Sequence, residues 1–213
     1  MHCVAVCAQK GGVGKTTIAQ CLAVEGLKEG RRSAIIDMDP QASVVKWGAR
    51  RAQQGILVPA VIAPGAQPVK SSIAELEKQG AALVVIDTPP LVTPTLNAAL
   101  ESADSVVLIT RPNPMDIEAL EATWDIVRQF ARLRIVTIIT QVPPSSQRAR
   151  ALKLATSRLR SVNIPTCPSP LSYTLGYPYA QAEALTVQER EPYSKARAEL
   201  AEVWAYLKKI NIL

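Results

Sequence analysis

The chain has 213 residues, of which 48% are hydrophobic and 20% charged, and its formal net charge at pH 7 is +6. This length and balance indicate a globular, soluble protein with one domain, residues 1–213. No apolar run reaches the roughly 20 residues that a membrane-spanning helix needs, and no secretion signal precedes the first predicted strand. We therefore expect a cytoplasmic protein.

Short apolar segments alternate along the chain with segments of helical spacing. The predicted strands are Cys3–Ala8, Ser33–Asp37, Ile56–Ile62, Ala81–Asp87, Asp104–Thr110 and Arg134–Gln141. The predicted helices are Lys15–Glu29, Ser43–Gln54, Ser71–Gln79, Thr95–Ser102, Asp116–Ala131, Ser146–Arg160, Tyr179–Ala184 and Tyr193–Lys209. Apolar strands that alternate with helices are typical of a parallel sheet covered on both faces. The sequence therefore predicts an α/β fold with a mostly parallel, twisted sheet and helices on both faces.

The segment AQKGGVGKTT, residues 8–17, joins the first predicted strand to the first helix. Its spacing and context are those of a phosphate-binding loop, although Ala8 stands in place of the usual first glycine. Glycines let backbone N–H groups turn towards phosphate oxygens, and the helix start adds partial positive charge. The residues predicted to bind nucleotide here are Lys10, Gly11, Gly12, Val13, Gly14, Lys15, Thr16 and Thr17. Among them, Lys15 is expected to reach the β- and γ-phosphates and Thr16 to offer its hydroxyl to Mg²⁺.

Acidic residues follow two of the predicted strands, in IIDMDPQAS (residues 35–43) and VVIDTPP (residues 84–90). Asp37 and Asp39 are two residues apart, and carboxylates this close repel each other unless a cation or a water lies between them. Asp87 follows four apolar residues, at a strand end where it can bind Mg²⁺ directly or through water. A helix cap is the alternative role for Asp39 or Ser43, and also for Asp87.

Together, KGGVGKTT, DMDPQ and VVIDTPP resemble the ParA/MinD family of deviant Walker A ATPases, and most closely its short ParA-type partition proteins. The resemblance implies a P-loop NTPase that binds ATP and Mg²⁺ and hydrolyses ATP. It implies that Lys10 reaches across a two-fold interface to the phosphates bound by the other subunit, so that a homodimer forms on ATP.

The resemblance also implies roles for residues outside the phosphate loop. Asp37 would lie in the Mg²⁺ shell, Asp39 would help to place the attacking water, and Asp87 would be the acidic residue of the Walker B strand. In relatives the adenine contacts the end of a late strand and the loop that follows. Those positions match Thr140-Gln141 and the loop near Pro168–Leu171 here, and we take Gln141 and Pro168 as the candidate contacts.

Basic residues dominate residues 128–160, which contain no Asp or Glu. On the predicted helix Ser146–Arg160, a basic side lies nearly opposite the apolar side. An ordinary solvated helix face is the alternative interpretation. The basic pI of about 9.3 and the family resemblance favour nonspecific contact with the phosphates of double-stranded DNA, which requires charge but no base recognition. The residues predicted to make this contact are Arg150, Lys153, Arg158 and Arg160.

The sequence thus predicts a nucleoid-associated, ParA-type ATPase that positions a plasmid, a chromosome or another cargo. A ParB-like or other cargo adaptor protein would stimulate its hydrolysis of ATP. A MinD-like protein on a membrane or a cellular apparatus is the first alternative, and an ATPase that serves a biosynthetic or metal-delivery enzyme is the second. We expect no membrane partner because no amphipathic anchor follows the core. We expect no operator binding because no helix-turn-helix precedes it, and the lack of a CxxC pair disfavours the second alternative.

Overall fold

A computed structural model of the chain describes residues 1–90, 94–144, 147–190 and 194–213. The strands in these ranges are β1 His2–Cys7, β2 Ser33–Asp37, β3 Ala60–Ile62, β4 Leu83–Asp87, β5 Ser105–Thr110 and β6 Arg134–Ile139. The helices are α1 Lys15–Lys28, α2 Ser43–Gln53, α3 Val69–Lys78, α4 Pro94–Ser102, α5 Pro114–Val127, α6 Arg148–Ser161, α7 Gly176–Ala182 and α8 Ser194–Lys209. The expected first residues of two helices, Ser146 and Tyr193, lie outside the described ranges.

The strands form one sheet in the order β3-β2-β4-β1-β5-β6, and every neighbouring pair is parallel. This arrangement confirms the predicted parallel α/β fold. Since all strands point the same way, their carboxyl ends meet at one edge, where ligands of such sheets bind. The register pairs Asp37 directly with Asp87 at this edge.

Two elements begin at residues other than those predicted, for local chemical reasons. Strand β3 starts only at Ala60, because Pro59 has no N–H group to give to a ladder hydrogen bond. Helix α5 starts earlier than expected, at Pro114, which tolerates the first helical position. Its N-cap is Asn113, whose side chain accepts a hydrogen bond from the Asp116 N–H at 3.0 Å.

The core has two layers because successive strand residues point to opposite faces of the sheet. In β1, Val4 and Val6 pack with α1, α2 and α8 on one face. Cys3, Ala5 and Cys7 pack with α3, α4, α5 and α6 on the other face. A strand that is buried on both sides has no polar face, which is why β1 reads as an unbroken apolar run. None of the helices in the described ranges is long and apolar enough to span a membrane.

Helix α1 lies close against the sheet at Gly26. A Cβ atom built on Gly26 would lie 2.4 Å from Ser33 Oγ and 2.8 Å from Leu83 Cδ2. Both atoms belong to buried side chains of strand residues, so an added methyl group would force them into other rotamers within a packed layer. Helix α1 carries the phosphate loop at its start, and this close contact therefore fixes where the loop lies over the strand ends.

We expect Gly26→Ala to destabilise the protein by about 1–3 kcal/mol, because the added methyl group overpacks the contact between α1 and the sheet. The measurement is the urea midpoint of unfolding, followed by circular dichroism. Alanine favours helices over glycine, so an unchanged or higher midpoint would mean that α1 can shift away from β2 and β4 at little cost.

Candidate functional site

The phosphate loop turns sharply between β1 and α1. Gly12 and Gly14 have φ angles of +71° and +103°, which side chains other than glycine rarely adopt. Gly14 is the N-cap of α1, and no side chain in the described residues caps it. The first turn of α1 also contains no acidic residue. The helix start therefore presents free N–H groups and uncompensated positive partial charge, which together favour a bound anion.

Two side chains after β6 hold the loop in place. The Thr140 hydroxyl donates to the Val13 carbonyl oxygen at 2.7 Å, and the Gln141 side-chain amide donates to the Gly12 carbonyl oxygen at 2.6 Å. Both carbonyls are thereby directed away from the side that the N–H groups face. Gln141 was predicted to contact adenine, and the structure adds that it supports the loop.

Lys15 and Asp87 place opposite charges in a poorly hydrated site. The Lys15 residue is 7% exposed, and its ammonium group donates to the Lys10 carbonyl oxygen at 3.3 Å. Burial lowers the pKa of Lys15, and the neighbouring carboxylates of Asp87 and Asp39 oppose that shift. Lys15 therefore lies where it can contact phosphate oxygens with little competition from water.

Asp87 is completely buried at the end of β4. Its Oδ2 accepts a hydrogen bond from the Thr16 hydroxyl at 2.7 Å, whereas its Oδ1 has no partner among the described residues. Burial raises the pKa of the Asp87 carboxyl to about 7, although the hydrogen bond from Thr16 favours the carboxylate. A buried carboxylate oxygen without a partner is costly, and a cation would offset that cost.

The oxygen atoms at this edge suit Mg²⁺, which binds through one or two protein oxygens together with substrate phosphates and water. The Thr16 hydroxyl and the Asp87 carboxylate are such oxygens, and they are already in contact. The described residues contain no group of three or more His, Cys, Asp or Glu side chains that could hold a metal without a substrate. The site thus fits a cation that arrives with a nucleotide.

Asp37, which was predicted to lie in the Mg²⁺ shell, also binds backbone N–H groups. Its Oδ1 accepts from the Asp39 N–H at 3.1 Å, and its Oδ2 accepts from the Val44 and Val45 N–H groups at 2.9 and 3.0 Å. Asp37 therefore caps α2, a role that the sequence left open for Asp39 or Ser43. Oδ1 accepts only one of these three hydrogen bonds and keeps a second acceptor position, so the place of Asp37 in the Mg²⁺ shell stays a prediction.

A cavity of about 690 Å³ opens beside the phosphate loop. The loop residues Gly11 to Thr17 line one part of it, and Asp39 and Pro90 line it on the acidic side. Another part of the lining, which we call the base wall, begins at Leu171, the end of the loop predicted to contact adenine, and its later residues were missed by the sequence prediction. It consists of Leu171, Ser172, Tyr173, Thr174, Tyr177 and Pro178. The volume and this division into polar and apolar parts suit a nucleotide.

Pro168 does not line this cavity, contrary to its predicted contact with adenine. It lines a separate cavity of about 520 Å³, together with residues of α6 such as Leu152 and Arg160. The chain returns to the nucleotide cavity only at Leu171, whose N–H donates to the Ile139 carbonyl oxygen at 2.9 Å. An aromatic and a proline at Tyr177-Pro178 were the available signal for the base wall, but nothing in their spacing indicates a pocket.

The basic side of α6 contains two kinds of cation. Arg150, Lys153 and Arg160 are exposed and have no hydrogen-bond or ion-pair partner among the described residues. Arg158 donates two hydrogen bonds to the Glu121 carboxylate of α5, at 2.6 and 2.7 Å. Arg158 thus differs from the other three predicted DNA-binding residues in having an acidic partner, and its contact with DNA stays a prediction. The expectation that the basic residues of this region are unbalanced holds for part of them only, since Arg128 pairs with Asp125 as well.

Comparison with protein families assigns residues 4–167 to the CobQ/CobB/MinD/ParA nucleotide-binding domain. The chain belongs to this family. The matched residues include the phosphate loop, Asp39, Asp87 and Thr140-Gln141, and they end before the base wall. ParA and MinD proteins are ATPases that use ATP with Mg²⁺, in agreement with the ligands that the cavity suits.

Among relatives of this ParA/MinD chain, the carboxysome distribution protein A of Gloeobacter kilaueensis is 40% identical over 124 residues, which are 56% of this chain and 54% of that protein. The chromosome-partitioning ATPase Soj of Thermus thermophilus is 30% identical over 168 residues, which are 64% of this chain and 67% of Soj. The alignment therefore spans only about half of the Gloeobacter relative. The structure of Cyanothece McdA without nucleotide has a TM-score of 0.76 at 16% identity and covers 97% of this chain and 99% of that one, which supports the fold.

We expect Asp87→Asn to stabilise the nucleotide-free and metal-free protein, increasingly as the pH rises. The carboxyl is neutral in both states below its unfolded pKa of about 3.9, and its ionisation then disfavours the folded state up to the folded pKa of about 7. Between pH 5 and pH 8 the gain in unfolding free energy over wild type should grow by on the order of 2 kcal/mol.

The measurement is urea unfolding at both pH values, without nucleotide or divalent cation. The exposed Asp125→Asn serves as the control and should show the same pH dependence as wild type. If Asp87→Asn also follows wild type at both pH values, the Asp87 carboxyl is not desolvated as described.

Proposed function

We propose that the protein is a Mg²⁺-dependent ATPase of the ParA type, which forms a homodimer around ATP and binds DNA without sequence preference. One observation carries this proposal: a single loop holds two lysines in opposite situations. Lys15 is buried at the start of α1, whereas the half-buried Lys10 ammonium has no partner among the described residues. One lysine can thus bind the nucleotide within the subunit, and the other remains free for a second subunit.

The nucleotide would lie along the cavity in one direction only. Its phosphates suit the free N–H groups of the loop and the Lys15 ammonium, because both offer positive charge in a poorly hydrated place. Its base suits the base wall, since Tyr173, Tyr177 and Pro178 supply flat or apolar surface. Gln141 also lines the cavity between the two and remains a candidate for contact with the base.

Mg²⁺ would be held by Thr16 and Asp87, and it would supply charge neutralisation on the β- and γ-phosphates. Asp39 lies on the same side of the cavity, and within the described part of the chain its Oδ1 accepts one hydrogen bond, from the Gln41 N–H at 2.9 Å. It therefore keeps an oxygen that can orient a water for attack on the γ-phosphate. Asp37 supports this arrangement indirectly, because it fixes the segment that carries Asp39.

Lys10 would act on the ATP of the other subunit. A cation supplied in trans stabilises the charge that develops on the transferred phosphoryl group, as an arginine finger does. Such a contact also stabilises the dimer only when a triphosphate is present, which makes dimerisation depend on ATP.

The DNA-binding surface would consist of Arg150, Lys153 and Arg160 on α6, whose charges no described acid neutralises. Contacts of this kind neutralise phosphates and do not read bases. A dimer contains two such surfaces, so that dimerisation on ATP would raise the affinity for DNA through two linked sites. The protein would then associate with the nucleoid when it holds ATP.

The cellular role that fits these properties is the positioning of a cargo. The Gloeobacter relative is named for the distribution of carboxysomes and the Thermus relative for the partitioning of chromosomes. In this chain, a ParB-like or other cargo adaptor would stimulate hydrolysis and release the protein from DNA. A plasmid, a chromosome and a protein assembly are all cargoes consistent with this mechanism.

We expect Lys10→Ala to bind ATP with nearly the affinity of wild type but to lose the ATP-dependent dimer. Turnover should fall by about 10²-fold, the usual effect of removing one group that stabilises the transition state. Sedimentation with a non-hydrolysable ATP analogue and Mg²⁺ measures the dimer, and phosphate release measures turnover. Lys15→Ala should instead lose nucleotide binding, and Lys10→Arg should retain part of the dimer. A wild-type chain that stays monomeric with the analogue would refute the proposal.

We expect the triple substitution R150Q/K153Q/R160Q to weaken binding to arbitrary duplex DNA in the presence of ATP. The slope of log affinity against log salt should fall by about 0.9 for each phosphate contact that is lost. The matched control is Arg158→Gln, which removes the same charge from the same helix but from a side chain already paired with Glu121. If the control weakens binding as much per charge as the triple variant does, net charge rather than this surface determines DNA binding.

A further inference from the structure

A hydrogen-bonded cluster connects the base wall to the first turn of α6, and the proposed catalytic steps do not use it. It consists of Arg148 on α6, Ser172 in the base wall and Glu199 on α8, and we call it the Ser172 cluster. The Ser172 N–H donates to Glu199 Oε2 at 2.7 Å, and the Ser172 hydroxyl donates to Glu199 Oε1 at 2.6 Å. Arg148 Nη1 donates to Ser172 Oγ at 2.6 Å.

Ser172 and Glu199 lie largely away from water, and the Arg148 side chain is partly exposed. Ser172 is 8% exposed and the Glu199 side chain 12% exposed, and Arg148 Nη2 lies 3.8 Å from Glu199 Oε1. Hydrogen bonds to charged groups in such surroundings are strong, and breaking one leaves a poorly hydrated charge without its partner. The cluster is therefore expected to adopt either a fully bonded arrangement or an open one.

The backbone on both sides of Ser172 is fixed to the sheet. Val142 donates its N–H to the Leu171 carbonyl oxygen at 3.0 Å, and Tyr173 donates its N–H to the Val142 carbonyl oxygen at 2.8 Å. Leu171, Ser172 and Tyr173 all line the nucleotide cavity. A base that packs against this wall therefore contacts a fixed segment whose Ser172 hydroxyl is bonded to both Glu199 and Arg148.

We propose that Glu199 is a positioning residue which couples occupancy of the nucleotide cavity to the order of the first turn of α6. A nucleotide stabilises the bonded arrangement of the Ser172 cluster, and the bonded cluster holds Arg148 and the start of the basic helix. The coupling rests on the proposed function in that it regulates the proposed DNA-binding surface. By thermodynamic linkage, a ligand that orders α6 must also raise the affinity for nucleotide.

This coupling acts within one subunit, and it depends on a different part of the nucleotide from the part on which dimerisation depends. Dimerisation through Lys10 depends on the γ-phosphate, which only ATP has. The base wall contacts the base, which ATP and ADP share. ADP therefore orders α6 as ATP does, although ADP leaves Lys10 without its contact. Either nucleotide therefore orders the first turn of α6, and ATP in addition places two basic surfaces in one dimer.

The test is hydrogen exchange of the peptides that cover the first half of α6, with and without ADP and Mg²⁺. In wild type, ADP should slow this exchange by about five-fold or more, the usual lower range of coupling between two sites. Glu199→Gln should abolish the slowing at saturating ADP. The matched control is Glu202→Gln, which removes the same charge from an exposed position of α8 and should behave as wild type does.

Ser172→Ala is the second variant, because it leaves the net charge unchanged and is small enough to keep the fold if Glu199→Gln does not. It should also remove the effect of ADP on α6. The coupling is refuted if ADP does not slow exchange of α6 in wild type, or if both variants retain the slowing. DNA binding is measured separately: a wild type that binds no DNA with ATP contradicts the proposed function, while the exchange result still decides the coupling.

Discussion

The burial of two charged side chains at one end of the sheet is the constraint on which the site depends. Lys15 and Asp87 are both largely removed from water, and removing a charge from water is costly unless it is paired and hydrogen-bonded. The parallel sheet requires this placement, because β4 ends at the same edge from which α1 starts. The hydrogen bond from Thr16 offsets part of the cost for Asp87 and joins the helix to the strand end. A phosphate group with a divalent cation satisfies both charges at once, which is why the affinity of such a site can exceed what a surface pair would give.

Asp37 lies at the same edge of the sheet, and its carboxylate is stabilised by backbone hydrogen bonds. It lies beside Asp87 in the sheet register, where a second free carboxylate would add repulsion. Three backbone N–H groups bind it instead, and they fold the segment after β2 back over the strand end. Ala42 takes a left-handed conformation with φ of 51° to complete that turn. The result is that Asp39 projects into the cavity while Asp37 stabilises the start of α2, so that two acids only two residues apart have separate functions.

The fold was predictable from the sequence because its signals are local. Unbroken apolar strands, helical spacing and a glycine loop each occur within a few residues, and the phosphate loop with Asp87 followed from them. What the sequence could not show concerns contacts between distant segments. The capping role of Asp37 depends on a turn that only the folded chain forms, and Arg158 meets Glu121 from another helix, at a distance of 37 residues in sequence. Pro168 was misplaced because the segment after α6 lines a second cavity before it returns to the first at Leu171.

Contacts between distant segments also connect the nucleotide cavity to the proposed DNA-binding surface on α6. Hydrogen bonds and the covalent chain together connect the Gly12 carbonyl through Gln141 and Val142 to the base wall, and from there to Arg148. Such a connection couples two sites only where one of its parts can adopt two arrangements, because the equilibrium between them is what both ligands shift. The backbone bonds beside β6 belong to the sheet and persist in either state. The side-chain bonds of Ser172 join three separate elements and contribute little to the sheet, which makes them the part of the path that a bound base can shift.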